Sequence, residues 1–380
     1  MRSFFMTESL FIFGNGLGRS INNEAYQLKP AMQAVWGNKE NVLSDDHKTI
    51  IQKSLALQDN DTQDGPQEEG QLKTIQEVIF ACELLQKIED IRLPFESDET
   101  QKILADITQE ASELPDALRT YVRQVAIQFL GTDKGKLDAE FSKGLIYFIN
   151  KRTKPVHIAT TNYDDLLYEA FFADTRTVNY GLLDGCPRND SGQFEFNRLE
   201  TEISYKMSKK HRGWYLHLHG SPLYVDMDEN VRKLTRGDFM DPANHKLPGH
   251  IVLTHHAFKR RIIEESPILN AYWNIFCEKL SKSTNIILFG MSGEDDQINE
   301  AIRAYARKGA TIRIVDWEGE NPTVQTRAEE EECWEKRLRK EKFNKANLIL
   351  LRNVQDFKDW ALPQSLIPIK NTKLDHCLPT

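Results

Sequence analysis

Short apolar runs that stop at glycine or at polar turns recur along this chain, and stretches with a helical spacing of apolar residues separate them. Short apolar runs are typical of buried strands, whereas apolar residues three and four positions apart indicate helices. The alternation predicts an α/β fold built on a Rossmann-like parallel sheet. The candidate strands are Leu10 to Phe13, Val156 to Thr160, Tyr215 to Leu218, Ile286 to Phe289, Thr311 to Val315 and Leu348 to Leu351.

Long insertions are expected to separate these strands. A helical stripe of apolar residues that includes Ile75 predicts a helical insertion subdomain over residues 57–150. A second insertion, residues 182–253, carries mixed charges around one candidate strand. Residues 1–355 are therefore expected to form one domain with two insertions, followed by a C-terminal tail over residues 356–380.

The composition narrows the class of protein. Hydrophobic residues make up 40% of the 380 residues and charged residues 28%, which is ordinary for a globular protein, so no membrane association is expected. The net charge of -8 provides no general positive field for phosphate backbones, so direct nucleic-acid binding is not expected either. The five cysteines form no C-x-x-C pair, which favours reduced thiols in a cytoplasmic protein over a disulfide framework or a cysteine-rich zinc site.

A glycine-rich loop, Gly14-Asn15-Gly16-Leu17-Gly18, follows the first candidate strand and precedes a possible helix. Glycines let the backbone approach a pyrophosphate closely, and the start of a helix adds partial positive charge. The loop lacks the full G-x-G-x-x-G pattern, and similar turns occur without a ligand. The sequence therefore leaves both a phosphate-binding loop and a tight structural turn open.

A second motif, Thr160-Thr161-Asn162-Tyr163-Asp164, follows the second candidate strand. Open α/β sheets bind ligands at the carboxyl ends of their strands, which is where these polar side chains are expected to lie. Capping of the next helix would explain Asp164. Capping does not explain the adjacent threonines and Asn162, so a ligand site is favoured.

A third motif, His217-Leu218-His219-Gly220, ends the third candidate strand. Alternation along a strand predicts that His217 and His219 face the same side. Such a pair can ligate a metal, but no third ligand is suggested by the spacing, so no metal is expected.

A fourth motif, Gly290-Met291-Ser292-Gly293, follows the fourth candidate strand and leads to Asp295 and Asp296. Capping of the following helix accounts for these two acids. Gly290 and Ser292 are the better candidates for contact with a ligand.

Together and in this order, the four motifs resemble the sirtuin-like NAD-consuming family, whose pattern is a G-A-G loop, a T-x-N-x-D strand end, an L-H-G strand end and a late G-x-S turn. The resemblance spans about Leu10 to Val315. The variants Thr-Thr-Asn-Tyr-Asp and Leu-His-Gly-Ser look most like the bacterial antiphage-defence branch, which includes the Thoeris effector and similar NAD-depleting proteins. The resemblance implies that residues 1–355 bind NAD as a substrate and hydrolyse it to nicotinamide and ADP-ribose in abortive infection.

The resemblance also implies roles for individual residues. Asn162 and His219 would be the catalytic pair, and Asp164 would bind ribose hydroxyls or brace the loop. The residues expected to contact the nucleotide are Gly14, Asn15, Gly16, Thr161, Gly290 and Ser292.

Two alternatives and a mode of control follow from the same resemblance. The four zinc cysteines of protein deacylases are missing, which disfavours an NAD-dependent deacylase. A noncatalytic sensor that binds NAD or ADP-ribose is the other alternative. No separate sensor domain is recognisable, so control is expected from homo-oligomerisation or from an activating partner, for which an ATPase, an Argonaute-like protein or a phage protein would each fit.

Overall fold

The structure is a computed structural model, and it describes residues 8–38, 43–56, 65–91, 114–130, 134–152, 154–172, 182–184, 194–195, 213–227, 230–234, 236–239, 241–320, 322–339 and 341–360. Seven parallel strands form its central sheet: β1 (Glu8–Phe13), β2 (Val156–Thr160), β3 (Leu182–Leu183), β5 (Gly213–His217), β9 (Ser283–Phe289), β10 (Thr311–Trp317) and β11 (Leu348–Leu351). Their order is β11-β10-β9-β1-β2-β5-β3.

The predicted α/β class and parallel sheet are confirmed, and each of the six predicted strands is present. β1 lies at the centre of the sheet. The next strands of this sheet along the chain, β2, β3 and β5, lie on one side of it, and the later strands β9, β10 and β11 lie on the other side. The strand order therefore reverses at β1 and β9, which is where open α/β sheets bind ligands. Phe13 is in register with both Thr160 and Phe289, so the carboxyl ends of these strands meet at one edge.

The helices are α1 (Gly16–Arg19), α2 (Leu28–Gly37), α3 (Asp45–Ala56), α4 (Leu72–Ile91), α5 (Leu114–Ile127), α6 (Ala139–Lys151), α7 (Leu166–Phe172), α8 (Arg236–Phe239), α9 (His256–Glu265), α10 (Pro267–Lys282), α11 (Asp296–Tyr305) and α12 (Val324–Leu338).

Helices cover both faces of the sheet because its strands are apolar on both sides. Leu10 and Ile12 of β1 pack with α10 and α11 in one core, and Phe11 and Phe13 pack with α6 and α7 in a second core on the opposite face. Successive residues of one strand thus supply two hydrophobic cores.

A third core joins helices α2 to α5, with Trp36 and Tyr121 among its largest side chains. α4 and α5 fall within the predicted helical insertion over residues 57–150, and α6 ends one residue beyond it. Residues 57–64, 92–113 and 131–133 of this insertion lie outside the described residues. α6 packs against the sheet instead of the helical core, through residues such as Phe141. The limits of the two insertions stay predictions.

A small antiparallel sheet lies within the second predicted insertion. It contains β4 (Phe194–Glu195), β6 (Gly220–Met227), β7 (Asn230–Lys233) and β8 (Gly249–Ile251), in the order β4-β7-β6-β8. The sequence analysis did not predict these strands. β6, for example, contains a glycine, a proline and an aspartate. These residues obscure the alternation of apolar and polar side chains that a half-buried strand normally shows.

The described part of the predicted C-terminal tail packs against the fold. Phe357 is buried, and the Trp360 ring lies nearly parallel to that of Phe289, with centroids 6.3 Å apart. Residues 361–380 of the predicted tail lie outside the described residues. Among the helices that the structure describes, none is both long enough and apolar enough to cross a membrane.

Candidate active site

A cavity of about 510 Å³ opens at the carboxyl edge of the central sheet. Its wall includes seven of the predicted site residues: Gly14, Asn15, Thr161, Asn162, Asp164, His219 and Ser292. Glu69, Gly70 and Phe129 line the same cavity from the helical side. The four sequence motifs therefore meet in one place, and residues at or next to the ends of α2, α4 and α5 line another part of it.

Gly16 and Gly290 hold two loops together behind this wall. The Gly16 N–H donates to the Gly290 carbonyl oxygen over 2.8 Å, and a Cβ added at Gly16 would lie only 2.7 Å from that oxygen. The Gly14 N–H likewise donates to the Phe289 carbonyl oxygen. These two glycine N–H groups are therefore engaged within the protein, and the predicted contact of Gly14 and Gly16 with the nucleotide stays a prediction. The glycines serve the close approach of the two loops.

Asn162 is the polar residue of the wall with the fewest partners. Its side chain is buried, with only 4% of the residue exposed, and neither end of its amide makes a well-formed hydrogen bond with a described residue. Its backbone N–H is fixed by the Thr160 hydroxyl at 3.0 Å. A buried amide that lacks well-formed hydrogen bonds costs up to roughly 1–3 kcal/mol, so this group is suited to a ligand or water in the cavity.

Asp164 is held at the start of α7, where its Oδ1 accepts a hydrogen bond from the Leu166 N–H at 3.2 Å. Capping thus accounts for one of its oxygens. Burial raises the pKa of the Asp164 carboxyl to about 7, the neighbouring charge of Asp165 adds to this, and the Leu166 N–H and Asn162 lower it in part. A carboxyl group in the cavity wall therefore titrates near neutral pH.

His219 follows β5 at a turn that only glycine can complete. Gly220 has a φ of +86°, and a Cβ there would lie 1.8 Å from the His250 carbonyl oxygen. The His219 Nε2 lies 3.0 Å from Asp295 Oδ2. The turn therefore places the imidazole between the cavity and a buried carboxylate.

The prediction that His217 and His219 share a face is wrong, because β5 ends at His217. The His217 ring packs among the rings of Tyr168, Tyr215 and Tyr224, away from the cavity. Burial lowers the pKa of His217 to about 3. Within the described ranges, no group of three or more His, Cys, Asp or Glu residues could hold a metal ion.

Asp295 is a site residue that the sequence analysis assigned only to capping. Its Oδ1 does cap α11, accepting from the Ile298 N–H at 3.1 Å, while its Oδ2 contacts His219 and lies 3.3 Å from Lys259 Nζ. Burial alone would raise the pKa of Asp295, but His219 and Lys259 outweigh it and the pKa lies below its usual range. Lys259 also pairs with Glu69 at 3.2 Å, a contact that no local pattern in the sequence indicates.

A second cavity, of about 370 Å³, lies between the helical core and the antiparallel sheet, and its polar groups satisfy one another. The two ring nitrogens of His250 lie 2.8 Å from Ser266 Oγ and from Asp226 Oδ1. The Ser266 hydroxyl also caps α10 by accepting from the Leu269 N–H, and Pro267 beside it has no N–H to offer a ligand. The first cavity, where the Asn162 amide makes no well-formed hydrogen bond with a described residue, is therefore the better candidate.

Residues 156–340 match the SIR2-like domain family. The match covers just under half of the chain and includes Asn162, Asp164, His219 and Ser292. No curated protein matches the chain. The SIR2-like match supports the sirtuin-like family, whose domains use NAD, and it is consistent with an NAD-related activity. The glycine loop lies ahead of the SIR2-like region in sequence, but it lines the same cavity as that region.

Proposed function

We propose that this chain hydrolyses NAD to nicotinamide and ADP-ribose in the cavity at the carboxyl edge of the sheet. The observation that carries the proposal is the buried amide of Asn162, which makes no well-formed hydrogen bond with a described residue and lies in one wall with His219 and Asp164. The cavity volume of about 510 Å³ is within the range of small-molecule sites, and the strand order reverses beside it.

The reaction breaks the glycosidic bond between ribose and nicotinamide, and the bonding electrons leave with the nicotinamide nitrogen, which becomes neutral. Such a leaving group requires no strong acid, and the ribose carbon takes on oxocarbenium character as in other glycoside cleavages. Water then bonds to that carbon and gives up a proton. The site has to orient the ribose and the water and to accept this proton.

The residues of the wall are suited to these tasks. The Asn162 amide can donate to one oxygen and accept from another, so it can orient the ribose and the water without adding charge. The imidazole of His219 is the group that we assign to accept the proton, because histidine exchanges protons near neutral pH. The Asp164 carboxylate can accept hydrogen bonds from ribose hydroxyls.

We propose further that the activity serves antiphage defence and is controlled by self-association or by an activating partner protein. One support is the resemblance of the motifs to NAD-depleting defence proteins. The other is that Glu69, Gly70 and Phe129, which lie next to the helical elements α4 and α5, line the cavity. A shift in these elements would change access to the site. Gel filtration that finds a fully active monomer without any partner would contradict this control.

The test of hydrolysis is release of nicotinamide and ADP-ribose from NAD by the full chain at several protein concentrations. Wild type is compared with Asn162→Ala, His219→Ala and the control Asn274→Ala, which alters an exposed residue of α10. We expect release by wild type and Asn274→Ala and loss of release in the other two. Equal release by all four proteins would remove these residues from the site. Absence of release by wild type at any concentration, together with absence of NAD binding by calorimetry, would contradict the proposed hydrolysis.

A further inference from the structure

Asp295 is fixed at both of its oxygens. Oδ1 accepts the Ile298 N–H at the start of α11, and Oδ2 is directed at His219 Nε2, 3.0 Å away. Both side chains are largely buried, at 12% and 8% exposed. The contact lacks the alignment of a full hydrogen bond, which is common for catalytic hydrogen bonds before substrate binds.

A carboxylate beside one ring nitrogen decides which nitrogen of a neutral histidine carries the proton. With Asp295 next to Nε2, the tautomer with hydrogen on Nε2 is favoured, and Nδ1 is left as the acceptor. The same division of roles holds in histidine-based triads, where the carboxylate orients the ring without taking the proton itself. The capped oxygen keeps this carboxylate from turning away.

Lys259 connects Asp295 to Glu69, which lies just ahead of α4. Its ammonium group lies 3.3 Å from Asp295 Oδ2 and 3.2 Å from Glu69 Oε2. Glu69 begins a 3₁₀ turn, Glu69–Gln71, directly ahead of α4. Burial alone would lower the pKa of Lys259, but the two carboxylates outweigh it and the pKa is raised, so this side chain is charged between them.

We propose that Asp295 is the positioning residue of His219, and that Lys259 ties this pair to the helical elements through Glu69. The inference rests on the proposed NAD hydrolysis and adds to it the control of the proton acceptor. Asp295 lines the same cavity, but its two oxygens contact the Ile298 N–H, His219 and Lys259, so we assign it to His219 and not to NAD. Its loss is therefore expected to lower kcat while leaving NAD binding unchanged.

The decisive variant is Asp295→Asn, because asparagine caps a helix as well as aspartate does and removes only the charge. We expect kcat to fall by about 10²-fold, the low end for general acid–base catalysis, with an unchanged Kd for NAD by calorimetry. The Tm should also fall, because the pairing that lowers the pKa of Asp295 stabilises the folded protein. The matched control is Asp296→Asn, which removes the same charge from the exposed next residue of α11 and should keep the wild-type kcat.

Lys259 is tested by Lys259→Met and Lys259→Arg. Methionine keeps most of the length and removes the charge, so we expect kcat to fall, and arginine should restore a large part of it because the charge returns. Equal losses in the two variants would contradict the role of the charge.

A second readout does not depend on turnover. The ring nitrogen shifts of His219, measured by NMR in the full chain, should report hydrogen on Nε2 in wild type and a mixture of tautomers in Asp295→Asn. Wild-type hydrolysis with a normal kcat in Asp295→Asn would overturn this inference alone, as would an unchanged tautomer. Absence of both hydrolysis and NAD binding in wild type would instead overturn the proposed function on which it rests.

Discussion

Replacing Asp164 with asparagine is expected to stabilise the protein at about pH 8 and to have little effect at about pH 4. Burial raises the pKa of this carboxyl from 3.8 to about 7. In the unfolded chain the group ionises near its ordinary pKa, whereas in the folded protein it stays protonated until about pH 7. The unfolded state therefore gains stability from ionisation as the pH rises between these values, and the folded protein loses stability by the same amount.

The size of the effect follows from the two pKa values. Each tenfold change in the acid dissociation constant corresponds to about 1.4 kcal/mol, so a pKa raised from 3.8 to about 7 costs at most about 4 kcal/mol above neutral pH. Asparagine cannot ionise, and its side-chain oxygen can still accept the Leu166 N–H. Asp164→Asn thus removes the cost and keeps the cap.

Urea unfolding followed by tryptophan fluorescence measures this difference at each pH. The free energy of unfolding of Asp164→Asn should exceed that of wild type by an amount that grows from about pH 4 to about pH 8. Asp46→Asn, an exposed position in the first turn of α3, serves as the control and should show no such trend. A difference between Asp164→Asn and wild type that is the same at both pH values would refute the reasoning.

Two further predictions concern the loops and the core. Gly16→Ala puts a Cβ 2.7 Å from the Gly290 carbonyl oxygen, so we expect a loss of about 1–3 kcal/mol in the free energy of unfolding, with weaker NAD binding by calorimetry. Trp334 is fully buried, and its indole N–H has no partner among the described residues. Trp334→Ala should therefore cost about 3–5 kcal/mol in urea unfolding and Trp334→Phe clearly less, and equal losses would contradict this account.

The central sheet could be predicted because a parallel strand buried on both faces is a continuous apolar run. The runs ending at Phe13, Thr160 and Phe289 are of this kind, and all three end at one edge. β3 has two residues and β8 three, which is too short for any periodicity to be read. Pairing with distant strands, and not local pattern, decides whether such segments become strands.

The meeting of Asn162, Asp164, His219 and Ser292 in one cavity could also be predicted, since each follows a strand and the strands are parallel. The contacts of Lys259 could not. Its position depends on how α9 packs against α4, α10 and α11, and Glu69 is far from it in sequence. Only one of the two roles of Asp295 could be predicted from the sequence. Capping explains the contact of Oδ1, but no local pattern predicts that Oδ2 contacts His219.

His217 and His219 belong to one motif but lie in different surroundings. This difference favours His219 over His217 as the proton acceptor. The His217 ring is enclosed by tyrosines, neither ring nitrogen has a partner among the described residues, and burial lowers its pKa to about 3. It therefore stays neutral at cellular pH and lies away from the cavity. His219, two residues later, lies in the cavity wall, with its Nε2 3.0 Å from Asp295 Oδ2. The turn at Gly220 creates this difference, so of the two histidines only His219 can take a proton from a bound substrate or water.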